Sequence, residues 1–194
     1  MSIGETLGLV FGVLGGIAAI AQIVIWIRNY FDDRVEPFSS IERNGVRLLD
    51  QITASGFRPD FVLCLGRSGA LVGGWLAGNL GVEHIGLIDR IVQDDATKPM
   101  EFPAARELLE AWKKLYGEGA KILVVQGAAT RGQTYINFRK LQQELVGQWN
   151  CKFCAMYKIE TADAKLDYCA RTLKHAPKKY PWKHTSAWRD SIIR

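Results

Sequence analysis

The chain has 194 residues, 48% hydrophobic and 23% charged, the balance of a globular protein with length for one domain plus an appendage. Its formal net charge of +5 and pI of about 9.1 suit phosphorylated ligands or an anionic membrane surface. That charge is too mild to indicate nucleic acid, and no DNA- or RNA-binding motif accompanies it. The four cysteines do not make a disulfide framework. Cys64 sits in an apolar strand-like run, and Cys151 and Cys154 fall three apart on another predicted strand. Residues so spaced point to opposite faces, which argues against a shared metal; a zinc set with Cys169 and His175 is the alternative.

Leu7 to Ile27 reads LGLVFGVLGGIAAIAQIVIWI, with no charge and only Gln22 strongly polar. A helix of that length spans roughly 31 Å, matching a hydrocarbon core of about 30 Å. The pattern predicts a transmembrane anchor over residues 1–30, with Trp26 and Tyr30 at the interface. A cleaved signal peptide is the rival, with Ala19 and Ala21 near a cleavage site. Glu5 precedes the apolar run and no Lys or Arg does, which favours the uncleaved anchor. Arg28, Arg34, Arg43 and Arg47 all follow the span. They predict a single-pass protein with its N-terminus outside and its main domain cytoplasmic. Gly4, Gly8, Gly12 and Gly16 recur every four residues and form a smooth helical stripe. Such a stripe suits homo-oligomerisation in a membrane, although glycine is common in membrane helices anyway.

Residues 31–38, polar and containing Pro37, predict a juxtamembrane linker before a domain over 39–194. Ser39 and Glu42 form a capping-box pattern and predict a helix to about Ala54. Phe61–Leu65 predicts a strand buried on both faces. Gly66-Arg67-Ser68-Gly69 then predicts a loop, and Ala70–Leu80 an apolar helix. His84–Ile88 predicts a second strand, and Asp89–Pro103 a polar loop or small hairpin. Ala104–Tyr116 predicts an amphipathic helix, Ile122–Val125 a strand, Gln133–Val146 a helix and Phe153–Tyr157 a further strand. The tail from Thr161 is basic, aromatic-rich and irregular. Alternating strands and helices predict an α/β fold, a parallel sheet flanked by helices, with ligands beyond the carboxyl ends of its strands.

Two segments there have phosphate-binding character. KILVVQGAATRGQTY, from Lys121 to Tyr135, is an apolar strand, a small-residue loop and a helix start, where free backbone N–H groups can meet a phosphate. PDFVLCLGRSGALVGGWLAGNLGV, from Pro59 to Val82, has the same strand–loop–helix form. Together they resemble the type I phosphoribosyltransferases, especially the purine-using xanthine-guanine kind. The resemblance covers roughly residues 57–182. It implies a Rossmann-like domain with a small C-terminal hood, and transfer of ribose 5-phosphate between pyrophosphate and a purine-like base with Mg2+.

By that resemblance, Ala129, Thr130, Arg131, Gly132, Gln133 and Thr134 grip the 5′-phosphate. Arg67, Ser68 and Gly69 contact pyrophosphate. Lys158, at the end of KFCAMYKIE, meets the base, with Tyr180 and Trp182 as candidate stacking residues in the hood. Each has a plainer alternative: a turn with a surface arginine, a solvated lysine, aromatic packing. The chain departs from the family at its adjacent acidic pair, where Gln126 and Gly127 stand. Losing two hydrogen bonds to charged groups costs about 3–6 kcal/mol, or about two to four powers of ten in affinity or rate. Asp94 and Asp95 in the polar loop could partly compensate. Three function classes follow: a membrane-anchored phosphoribosyltransferase; a non-enzymatic nucleotide sensor or effector whose membrane helix oligomerises; and a scaffold without ligand.

Overall fold

The computed structural model describes residues 38–89, 104–147 and 149–176, with positions 20, 22–24 and 102. Nine elements are described: α1 (Phe38–Ala54), β1 (Phe61–Leu65), α2 (Gly66–Leu80), β2 (Ile85–Ile88), α3 (Ala105–Tyr116), β3 (Lys121–Ala129), α4 (Gln133–Val146), β4 (Asn150–Ile159) and β5 (Tyr168–Leu173). Pro37–Ala176 forms one compact unit.

The unbroken apolar run of β1 is buried at all five positions, as a central strand requires. The strands form one parallel sheet in the order β2-β1-β3-β4-β5. Phe61, Leu63, Ile122, Val124 and Phe153 join Leu109 of α3 and Phe138 of α4 in one buried core. Trp112 sets its ring edge-on to Phe61, with centroids 3.9 Å apart. It also covers Gly86 of β2, where an added Cβ would stand 2.3 Å from the indole.

Glycine-poor packing could not bring α2 so close to the sheet. A Cβ on Gly73 would meet the Cys64 Sγ at 2.4 Å and Val62 Cγ1 at 3.2 Å. Leu48 and Ile52 of α1 are fully buried. Its N-terminal turns also bury polar groups. Asn44 Nδ2 donates to the Tyr157 hydroxyl at 3.1 Å, and Ser40 Oγ lies 3.2 Å from the same oxygen. At the other end, Gln51 pairs with both the N–H and the C=O of Cys169, fastening α1 to the edge strand β5.

Several predicted boundaries move. α2 begins at Gly66, so Arg67–Gly69 form its first turn and not a loop. β3 continues four residues past Val125, and β4 extends the predicted Phe153–Tyr157 run at both ends. The stretch from Thr161 is not irregular throughout: it contains β5, paired to β4 from Tyr168 to Leu173. Residues 1–19 with Gly4, Gly8, Gly12 and Gly16, Ala21, Trp26, Arg28, Tyr30, residues 31–37 of the 31–38 linker, the bulk of the Asp89–Pro103 loop and the hood residues Tyr180 and Trp182 lie outside the described residues. Among the described residues, no helix is long and apolar enough to cross a membrane.

Burial governs the thiols. It pushes Cys64 up to about 12. Burial likewise pushes Cys151 up to about 12, against a smaller lowering by Arg139. Cys154 and the Tyr135 phenol are raised by burial too. The folded state therefore keeps protons that unfolded thiols release near 9.0. Stability from this source is fully present below about pH 9 and is lost as pH rises toward about 12. Melting temperature is expected to fall steadily between about pH 9 and 11; a flat profile would contradict the burial of these groups.

The glycine contact gives a second expectation. Gly73→Ala should destabilise by about 1–3 kcal/mol in urea unfolding, the usual cost of overpacking. Adding Cys64→Ala should recover part of that loss, whereas simply additive losses would show that the Cys64 contact is not the cause.

Candidate active site

β1 and β3 are neighbours in the sheet, yet β2 lies on the far side of β1. The connections after β1 and β3 therefore diverge, leaving a crevice at the carboxyl edge between them. Open α/β sheets bind ligands at such a switch point. Both glycine segments singled out in the sequence border this crevice.

Gly66 has φ 66°, which lets the chain turn from β1 straight into α2. Arg67 is exposed, Ser68 half-buried and Gly69 buried. Gly69 presses on β3: an added Cβ would stand 2.5 Å from the Val125 carbonyl oxygen. The first turn of α2 is thus seated on the strand one residue before Gln126.

Gln126 is 5% exposed and Gly127 is buried, both within β3. Ala129 is the last residue of β3, and its register partner is Lys158 of β4. Thr130 and Arg131 are exposed. Gly132 caps α4 with φ 83°, and a Cβ there would lie 2.6 Å from the Ala164 backbone nitrogen. Gln133 is exposed, while Thr134 is buried in the first turn. The N–H groups of that turn lack intrahelical acceptors and face the edge where an anion is stabilised. Tyr135 anchors the turn from below, its buried hydroxyl donating to the Cys154 carbonyl.

The structure therefore gathers Arg67–Gly69, Gln126–Thr134 and Lys158 along one sheet edge. Asp94 and Asp95 fall outside the described residues. Three contributors were missed in the sequence. The Asp89 carboxylate, which the sequence places only at the start of a loop, lies 4.0 Å from where a Gly66 Cβ would stand. Ala164, in the segment after β4, walls the Gly132 turn. Tyr157, beside Lys158, ties this edge to α1. No short motif marks the last two: Ala164 becomes visible through its close approach to Gly132, and Tyr157 through its bonds to α1.

The donor set at the end of β3 is an amide and a glycine. It does not fit a Mg2+ ion held there by the chain's own carboxylates, which that ion ordinarily takes together with substrate phosphates. Among the described residues, no three His, Cys, Asp or Glu side chains gather as a metal site.

No protein-family model matches the sequence, and no curated protein matches it. Solved structures do match. The xanthine-guanine-hypoxanthine phosphoribosyltransferase of Helicobacter pylori superposes with a TM-score of 0.64 at 15% identity, over 81% of this chain and 97% of its own. The purine phosphoribosyltransferase of Pyrococcus horikoshii gives 0.59 at 16% identity, over 79% and 96%. This is the phosphoribosyltransferase fold. A hypothetical protein of Neisseria gonorrhoeae with bound ppGpp shares it, with a TM-score of 0.61 at 15% identity over 82% and 93%.

Gly132 offers a direct check on the Thr130–Thr134 turn. Gly132→Ala combines a left-handed backbone with a clash against the Ala164 backbone, so about 1–3 kcal/mol of destabilisation is expected. Hydrogen exchange should quicken in residues 130–135; unchanged exchange and melting would mean that the turn does not depend on this glycine.

Proposed function

We propose that this chain is a membrane-anchored, phosphoribosyltransferase-like protein whose β1/β3 crevice binds a phosphoribosyl or nucleotide ligand. The observation that carries the reading is the seating of Gly69 on Val125, which brings the two anion-binding segments to one crevice. The ligand's 5′-phosphate occupies the Thr130–Thr134 turn, taking N–H groups of α4 and the Thr130 and Thr134 hydroxyls. Arg67 and Ser68 face a second phosphoryl group. Lys158 stands where a purine oxygen is met, with Tyr180 or Trp182 stacking on the base. The purine-using neighbours and the ppGpp-bound neighbour support that ligand class.

Grip without efficient turnover fits the strand residues best. A ribose held by Gln126 gains neutral hydrogen bonds, while Gly127 gives it none from a side chain. No carboxylate from β3 opposes positive charge developing at the sugar. Any Mg2+ arrives with the ligand's own pyrophosphate oxygens. Binding then acts as a signal, provided that the ligand has different affinities for two states of the protein. The apolar N-terminal segment supplies the anchor: Ile20, Ile23 and Val24 are helical and 56–64% exposed. Gly4, Gly8, Gly12 and Gly16 supply a stripe for self-association in the membrane, with the main domain on the cytoplasmic side. The second reading, transfer of phosphoribose to a purine base, draws on the fold shared with the Helicobacter pylori enzyme.

Calorimetric titration of the full chain in lipid nanodiscs separates these readings. Guanosine monophosphate or phosphoribosyl pyrophosphate is expected to bind, and Arg67→Ala to weaken binding about tenfold, one lost charged hydrogen bond. Purine bases should give turnover far below the ordinary range with phosphoribosyl pyrophosphate, and Gln126→Asp with Gly127→Asp should raise it at least tenfold. Wild-type turnover in the ordinary range, about 1–1000 per second, would favour the transferase. Absence of binding by either compound would overturn both readings.

A further inference from the structure

A second groove lies at the opposite, amino-terminal edge of the sheet. It follows the end of α1 and the starts of β3, β4 and β5, and encloses about 420 Å3, within the range of small-molecule sites. The nine residues of β3 separate it from the Thr130 turn by roughly 30 Å, at about 3.3 Å per residue. Arg58, Lys121 and Lys152 line it against the single carboxylate of Asp167.

That carboxylate is already engaged. Asp167 Oδ1 accepts from Lys152 Nζ at 2.9 Å, and Oδ2 accepts from the Phe153 amide at 2.8 Å. The neighbouring Asp60 carboxylate accepts from the Lys121 amide at 2.7 Å. Among the described residues, neither the Arg58 guanidinium nor the Lys121 ammonium has a carboxylate within salt-bridge distance. One late carbonyl of α1, which would oppose an anion, is covered: Ser55 Oγ donates to Ile52 O at 2.7 Å. The same Oγ lies 2.7 Å from the Tyr168 hydroxyl, which fixes that wall of the groove.

We propose that this groove is a second anion site, taking a phosphate-bearing small molecule between Arg58 and Lys121, with the Asn150 side-chain carboxamide as a further donor. Arg58 supplies a fork for two phosphate oxygens, and Lys121 a point charge. The groove is distinct from the crevice: no residue is shared between them.

The test is calorimetric titration of the full chain in phosphatidylcholine nanodiscs with guanosine monophosphate. Two binding events are expected. Arg58→Ala with Lys121→Ala should weaken one of them at least tenfold and leave the other. Arg67→Ala with Thr134→Ala should remove only the crevice event. An unchanged titration in the Arg58/Lys121 variant would overturn the proposal, even if the crevice binds as expected. If that variant is unstable, hydrogen exchange decides in the Arg67/Thr134 variant. Added guanosine monophosphate should slow exchange in residues 56–61 and 149–153, and no slowing there would refute the site.

Discussion

The parallel pairing of β1 with β3 sets the site. These strands are separated in sequence by α2, β2 and α3, yet Phe61–Cys64 lie in register with Ile122–Val125. Because β2 occupies the other side of β1, the helices following β1 and β3 part company at the carboxyl edge. A crevice is the geometrical consequence. The pairing is held by apolar side chains on both faces and by close approach of α2, which Gly69 and Gly73 permit. Substituting either glycine would alter the core and the crevice together, since the same helix serves both.

Much of this was legible in the sequence because burial on two faces leaves a strong mark. FVLCL could hardly be anything but a central strand, and the glycine-rich helix after it announced tight packing. What escaped was structure whose pattern is weak. β5 reads YCARTL, with polar and half-buried positions, because an edge strand needs only one good neighbour. β3 looked finished at Val125 because Gln126, Gly127 and two alanines have little strand propensity; the ladder to β4 holds them extended regardless. The Arg67–Gly69 segment looked like a loop because glycines punctuate it. Positive φ at Gly66 removes the need for a loop by turning strand directly into helix.

The site residues were more legible than their surroundings. Spacing alone placed Thr130–Thr134 at a helix start and Arg67–Gly69 at a strand end. It could not reveal that Gln126 and Gly127 are buried inside the strand, at a packed edge of the crevice. Nor could it reveal that Asp89, Ala164 and Tyr157 crowd the same edge. Those neighbours come from chain segments joined only by the sheet. Tyr157 also brings the start of α1 into hydrogen bonding beside Lys158.

The claim on which the functional reading rests is that a phosphate occupies the Thr130–Thr134 turn. A crystal structure of the full chain with guanosine monophosphate tests it most directly. The prediction is a 5′-phosphate bonded to backbone N–H groups at the start of α4, with the ribose directed toward Gln126. Nucleotide bound elsewhere at saturating concentration, with that turn empty, would contradict it.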